Sequence, residues 1–319
     1  MPLRIVFFGT PEFAVPTLAA LIASSHAVTA VVTQPDRPRG RGQQLQPSPV
    51  KALALEHGLA VLQPPTLKDD EAVEALRDLS VDLGVVAAYG RILPQRLLDV
   101  PRLGMINVHA SLLPRWRGAA PVHRAVMAGD RTTGVTIMRV VLALDAGPML
   151  AVRETDIGPT ETSGDVEARL AKIGGELLVE VVDRLAAGPA RETPQNDALA
   201  TYAAKLDKRE RSVDWSRSAQ EIHDRIRGLQ PWPVAASMLH DQRLLLRAST
   251  VESSEPAHPR PGEIVSVAAD GLIVGTGAGL LRLLEVQAEG RPPASVRDFL
   301  NGHRVAVGDR FGPLPVPAA

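Results

Sequence analysis

The first 140 residues alternate short, β-branched apolar runs with stretches of helical periodicity, and this rhythm limits the fold more than any other feature of the chain. Residues 3–8, 27–33, 81–88, 104–109 and 134–140 read as buried strands. Residues 16–22, 50–57 and 71–79 read as helices, the first opening at a proline and the second stopping at Gly58. Strands separated by helices point to a mostly parallel sheet covered on both faces. A long helical pattern over residues 163–185 follows, with Thr162 or Ser163 as its N-cap and Gly188 and Pro189 beyond its end. Gly174 and Gly175 are its weak point, because glycine is a poor helix former.

After that helix the rhythm changes. Residues 189–201 are polar and carry prolines, as a linker would. Residues 243–247, 262–267, 271–275 and 279–286 are short apolar runs with glycine-marked turns, the pattern of a small antiparallel barrel. The expected fold is therefore α/β: a doubly wound, Rossmann-like N-terminal domain at residues 1–189, a linker at 190–207, and an OB-like β-barrel at 208–315. Charged residues make up 22% and hydrophobic ones 45%, the balance of an ordinary globular protein. Aromatics are only 3%, so aliphatic side chains must build the cores. No run approaches the roughly 20 apolar residues of a membrane span. The apolar start is too short for a secretory signal and reads as a first strand, so the expected location is cytoplasmic. The chain has no cysteine, which excludes disulfides, thiolate-bound zinc and a thiol nucleophile.

Two places invite a chemical reading. The turn Phe8-Gly9-Thr10-Pro11-Glu12-Phe13-Ala14 resembles a dinucleotide fingerprint but has Pro11 and Ala14 where that fingerprint needs glycines to approach pyrophosphate. The second place is the run from Gly104 to Pro121. In a strand, residues two apart face the same side, so Asn107 and His109 project together from the end of an apolar strand. Strand ends at the C-terminal edge of an α/β sheet are where ligands usually sit. An amide beside an imidazole could hold a carbonyl oxygen as it becomes an oxyanion. Spacing alone also fits, and more readily, a satisfied histidine next to a turn-forming asparagine.

The run Asn107-Val108-His109-Ala110-Ser111-Leu112-Leu113-Pro114 resembles the signature of the formyltetrahydrofolate-dependent formyltransferases, whose core is Asn-x-His followed by Ser-Leu-Leu-Pro. The resemblance continues at Phe8-Gly9-Thr10-Pro11-Glu12-Phe13 and over the basic loop from Thr33 to Gly42. It extends to Tyr202-Ala203-Ala204-Lys205-Leu206, Asp214-Trp215 and Pro231-Trp232-Pro233. Taken together, these segments are most similar to the members that act on methionyl-tRNA. The chain departs from the family at Val141, where an acidic residue is usual, and at Ala143, where glycine is usual.

The resemblance implies a formyl transfer catalysed by Asn107, His109 and Asp145, with a folate site at Ser111, Leu112, Leu113 and Pro114. It implies 10-formyltetrahydrofolate as formyl donor and initiator methionyl-tRNA as acceptor. Contacts to that RNA would come from Arg37, Arg39 and Arg41, and the barrel would bind tRNA. The net charge of −1 does not announce a nucleic-acid binder, so any RNA contact must come from a local basic patch. Residues 200–319 hold 15 basic and 14 acidic side chains against 20 and 22 before them, which makes the C-terminal half slightly the more basic. Direct attack by an amine needs no metal, and the eight histidines form no His-x-x-x-His pair. A monomer without an obligate protein partner is the expectation.

Overall fold

The protein is described here by a computed structural model covering residues 1–39, 44–254 and 259–315. Two compact units emerge from it. One comprises Met1–Pro121, Thr132–Asp156 and Glu167–Ala203, the other Val122–Arg131, Ile157–Val166 and Ala204–Ala319.

In the first unit the chain lays down β1 (Arg4–Gly9), β2 (Ala27–Val32), β3 (Arg37–Arg39), β4 (Gln44–Gln46) and β5 (Val61–Leu62). There follow β6 (Leu83–Ala87), β7 (Met105–His109), β8 (Arg117–Gly118), β9 (Thr132–Arg139), β10 (Met149–Asp156) and β11 (Tyr202–Ala203). Seven of these form one sheet in the order β10-β9-β7-β6-β1-β2-β5. From β5 to β7 the neighbours are parallel, while β9 and β10 add an antiparallel edge. The chain leaves β1 on one side for β2 and β5, then returns to its other side as β6 and β7. In open α/β sheets such a reversal marks the usual ligand position, outside the carboxyl ends of the strands. The central strands are apolar throughout; Ile5, Val6, Phe7 and Phe8 have no exposed surface.

The long helix spans Ser163–Ala187, and its two glycines have a steric reason. A Cβ on Gly174 would stand 2.7 Å from Val108 Cγ1, and one on Gly175 would stand 2.9 Å from the Pro16 carbonyl oxygen. Bare backbone at 174 lets the helix press against the strand that carries Asn107 and His109, and at 175 against the helix Val15–Ile22. The basic loop is a hairpin, β3 with β4, whose tip at residues 40–43 lies outside the described residues. Sequence patterning offers no apolar anchor for this segment, yet its base is held by polar contacts. Lys51 Nζ donates to Asp36 Oδ2 at 2.6 Å and to Gln63 Oε1 at 2.7 Å, and Gln63 Nε2 donates to Asp36 Oδ1 at 2.8 Å. These bonds, that of Lys51 first, hold the Asp36 carboxyl below its ordinary range.

The second unit contains a sheet of β12 (Ala236–Leu239), β13 (Gln242–Ser253), β14 (Ile264–Ala268), β15 (Gly271–Gly275), β16 (Leu280–Ala288), β17 (Ala294–Ser295) and β18 (Phe311–Gly312). The order β14-β15-β16-β13-β12-β18 is antiparallel, with β17 on β16. It closes where Ile264 N donates to the Asp309 carbonyl and Phe311 N to the Gly262 carbonyl, both at 2.8 Å. The barrel expected from the sequence is present. Trp215 stacks on Phe311 at 5.1 Å in its interior and donates its indole N–H to Ser237 Oγ. The Ala219–Gly228 helix is opened by a capping box of Ser218 and Glu221. Among the described residues no helix is long and apolar enough to cross a membrane.

Candidate active site

The pair on β7 stands where the sheet pattern puts it. His109, the last residue of the strand, is 6% exposed, and its cross-strand partner is the fully buried Thr136 of β9. His109 Nε2 lies 2.7 Å from the Trp116 carbonyl oxygen. A carbonyl can only accept, so Nε2 carries the proton and Nδ1 is the nitrogen left for chemistry. Nδ1 is 3.8 Å from Asp145 Oδ2, an ion-pair distance too long for a direct hydrogen bond. Asn107 lies two residues earlier on the same side of the strand. It is half-buried, and its carboxamide has no hydrogen-bond partner among the described residues.

Asp145 comes from the loop between β9 and β10. Its carboxylate Oδ2 accepts from the Gly118 N–H at 2.8 Å, and its backbone is left-handed, with φ at 47°. For a residue with a side chain that conformation costs roughly 1–2 kcal/mol, which the surroundings must offset. Gly118 is itself constrained: its φ is 116°, and a Cβ there would stand 2.6 Å from the Ala203 carbonyl oxygen. Glycine at 118 thus lets β8 pair with β11 while its N–H reaches the carboxylate.

The Ser111-Leu112-Leu113-Pro114 run forms the turn after the histidine. The Ser111 hydroxyl donates to the Trp116 carbonyl at 3.0 Å and accepts from Trp116 N at 3.1 Å, so both its capacities close the turn. Thr136 Oγ1 donates to the Ser111 carbonyl at 2.7 Å and accepts from Leu113 N at 3.2 Å. Thr136 and Gly118 lie in segments that the sequence singles out, but it assigns neither a role, because that role depends on neighbours in other strands. The loop leading to Asp145 exposes Val141, Leu142 and Leu144, an apolar rim beside the polar group.

The arginines expected to meet RNA are not all in view. Arg37 is exposed, and its Nη2 donates to Gln34 Oε1 at 3.3 Å. Arg39 lies in β3, and Arg41 lies outside the described residues. Among the described residues, no group of three or more His, Cys, Asp or Glu side chains is arranged to hold a metal. Chemically, an uncommitted amide, an imidazole with one free nitrogen and an oriented carboxylate can stabilise a carbonyl oxygen that gains charge and can move a proton.

Known proteins carry the same architecture. Residues 3–182 match the family model described as formyl transferase, and residues 205–304 match the formyl transferase C-terminal domain. A methionyl-tRNA formyltransferase of Methylococcus capsulatus is 51% identical over 310 residues, covering 97% of this chain and 100% of that protein. One from Pseudomonas fluorescens is 52% identical over 303 residues, with 95% of each chain covered. Among solved structures, an N-formyltransferase of Helicobacter canadensis in complex with folinic acid and dTDP-3-aminofucose superposes with a TM-score of 0.68. It is 16% identical and covers 90% of this chain and 99% of that one, a likeness of fold.

Proposed function

The chain belongs to the formyl transferase family, and from that premise we propose that it transfers the formyl group of 10-formyltetrahydrofolate to the α-amine of methionine on the initiator tRNA, in support of translation initiation. The observation that carries the reading is the His109–Asp145 pair beside Asn107 at the carboxyl edge of the sheet, within a chain half identical to methionyl-tRNA formyltransferases over nearly its whole length. The cytoplasm, where initiator tRNA is used, is the matching location.

The reaction forms a bond from the methionyl nitrogen to the formyl carbon and breaks the bond from that carbon to the folate nitrogen, which ends with a proton. Asn107 donates its amide N–H to the formyl oxygen as charge develops there. His109, its Nε2 proton fixed on Trp116, presents Nδ1; protonated, that nitrogen is a second donor to the oxyanion. Asp145, oriented by Gly118, stabilises the imidazolium and passes the proton lost by the amine towards the leaving nitrogen, through water where the gap requires it. The Ser111-Leu112-Leu113-Pro114 turn and the apolar side chains of Val141, Leu142 and Leu144 supply flat, greasy walls suited to the folate ring system. Arg37, Arg39 and Arg41 meet the end of the acceptor stem. Residues 1–189 are the catalytic domain, and the barrel at residues 208–315 holds the body of the tRNA. The protein acts as a monomer.

The test is direct. Purified protein is mixed with 10-formyltetrahydrofolate and methionyl-initiator tRNA, and formylmethionine is measured after deacylation. Absence of tRNA-linked formylmethionine, with formate released to water or the formyl group moved to an amino sugar nucleotide instead, would overturn the reading.

A further inference from the structure

The polar segment between the long helix and the barrel reaches the catalytic loop. Its backbone is fastened to the first unit on both sides of Gln195. Upstream, Thr193 and Met149 exchange two N–H to carbonyl bonds of 2.8 Å. Downstream, the Thr201 carbonyl accepts from Arg117 N at 2.8 Å and the Ala203 carbonyl from Ala119 N at 2.8 Å.

Between these fastenings Gln195 turns its side chain to the loop that bears Asp145. Gln195 Nε2 donates to the carbonyls of Asp145 and Gly147, each at 2.8 Å. Its Oε1 accepts from Arg117 Nε at 3.0 Å and Nη2 at 2.9 Å. The amide can be assigned only one way, because an arginine has no acceptor and a backbone carbonyl has no donor. Arg117 is 4% exposed and also donates to Asp197 Oδ1 at 2.5 Å, so its charge is paired and its fork is fixed. The next residue, Gly118, donates its N–H to the Asp145 carboxylate. One two-residue strand therefore grips Asp145 twice, at the carboxylate directly and at the backbone through Gln195.

From this geometry we propose that Gln195 is a positioning residue for the formyl transfer. Its amide holds the Asp145–Gly147 turn in the left-handed conformation that aims the carboxylate at His109, and Arg117 holds the amide. The proposal rests on the catalytic reading of Asp145. A donor bridging two carbonyls of one turn fixes the turn's shape more firmly than either bond alone. Without it, the turn loses a restraint on a backbone conformation that side chains seldom adopt.

Two variants separate positioning from bulk stability. Gln195→Met keeps length and volume but has no hydrogen-bonding amide. Gln195→Glu keeps the acceptor for Arg117 but offers no N–H to the two carbonyls. Both are compared with wild type and Asp145→Asn by steady-state kinetics per folded molecule, with folding followed by circular dichroism. Both Gln195 variants are expected to lose about 10- to 100-fold in kcat, with KM for either substrate unchanged within about twofold. In the double variant Gln195→Met/Asp145→Asn, kcat should be no lower than in Asp145→Asn alone, because the glutamine acts through the carboxylate. Full kcat in either folded Gln195 variant, a loss confined to KM, or losses that multiply in the double variant would each overturn the positioning role. Asp145→Asn with wild-type kcat would instead remove the catalytic reading of Asp145 on which the clamp depends. Impaired Asp145→Asn beside an unimpaired Gln195→Met would remove the clamp alone.

Discussion

Gly174 of the long helix rests on Val108, the residue between Asn107 and His109: a Cβ at position 174 would stand 2.7 Å from Val108 Cγ1. The helix thus backs β7 with only the Val108 side chain filling the space at this crossing. Gly174→Ala should destabilise the protein, although alanine favours a helix by about 1 kcal/mol over glycine. Overpacking a close contact typically costs about 1–3 kcal/mol, and the side chain met is the buried, β-branched Val108, whose rotamer is stiff. Urea denaturation of the variant decides it; a higher midpoint than wild type would mean that the helix relaxes away from β7 at no cost.

His109→Ala should lower kcat by about 10²–10³ while leaving folate affinity nearly intact, because its donor matters chiefly in the transition state. Asn107→Ala should behave alike, since among the described residues its amide has no hydrogen bond to lose. Equilibrium binding of a non-reactive folate and single-turnover kinetics separate the two effects. A His109→Ala enzyme keeping more than about a third of wild-type kcat would remove the histidine from the mechanism.

The basic hairpin should be selective for RNA. The family resemblance implies that Arg41 reads an acceptor end lacking a stable first base pair. Arg41→Ala is therefore expected to cut kcat/KM for initiator tRNA strongly and to erase the preference over a tRNA with a paired acceptor end. Arg37→Ala should cost less, with a loss that shrinks as salt rises, as phosphate contacts do. Lys51→Met, which removes the cation holding Asp36, should mimic a weaker Arg41→Ala without touching the RNA itself. Competition between the two tRNAs at several salt concentrations checks all three; an unchanged preference in Arg41→Ala excludes its reading of the acceptor end.

An acid-stability effect is expected at Glu210. Arg124 donates to both its oxygens, at 2.5 and 3.0 Å, and this pairing is the largest cause of a carboxyl held below its ordinary value of 4.5. A carboxyl depressed in the folded state adds stability that is complete above its unfolded value and disappears as pH falls through the folded one. Glu210→Gln should therefore destabilise the protein by about 1 kcal/mol at pH 7, given partial exposure of the pair. That deficit should narrow as pH drops below 4.5. Equal deficits at pH 7 and in acid would show that lost packing, rather than charge, sets the cost.

The sequence by itself determined what is periodic or adjacent. Apolar runs of strand period fixed β1, β2, β6, β7 and β9. Glycine-marked turns forecast the barrel, and the alternation of a strand put Asn107 and His109 on one side. Such signals are local, because a pleat or a helical turn repeats within a few residues. Tertiary structure decided everything that depends on distant neighbours. The polar stretch holding Gln195 reads as an exposed linker because its residues have no apolar period, yet Gln195 meets Asp145 and Arg117, 50 and 78 positions away. The basic hairpin reads as unanchored for the same reason; its anchor is the polar contact of Asp36 with Lys51 and Gln63. Gly174 and Gly175 look like flaws in a helix until Val108 and Pro16 are packed against them. Hydrogen bonds and close contacts depend on where chains cross, and a crossing leaves no repeat in the order of residues.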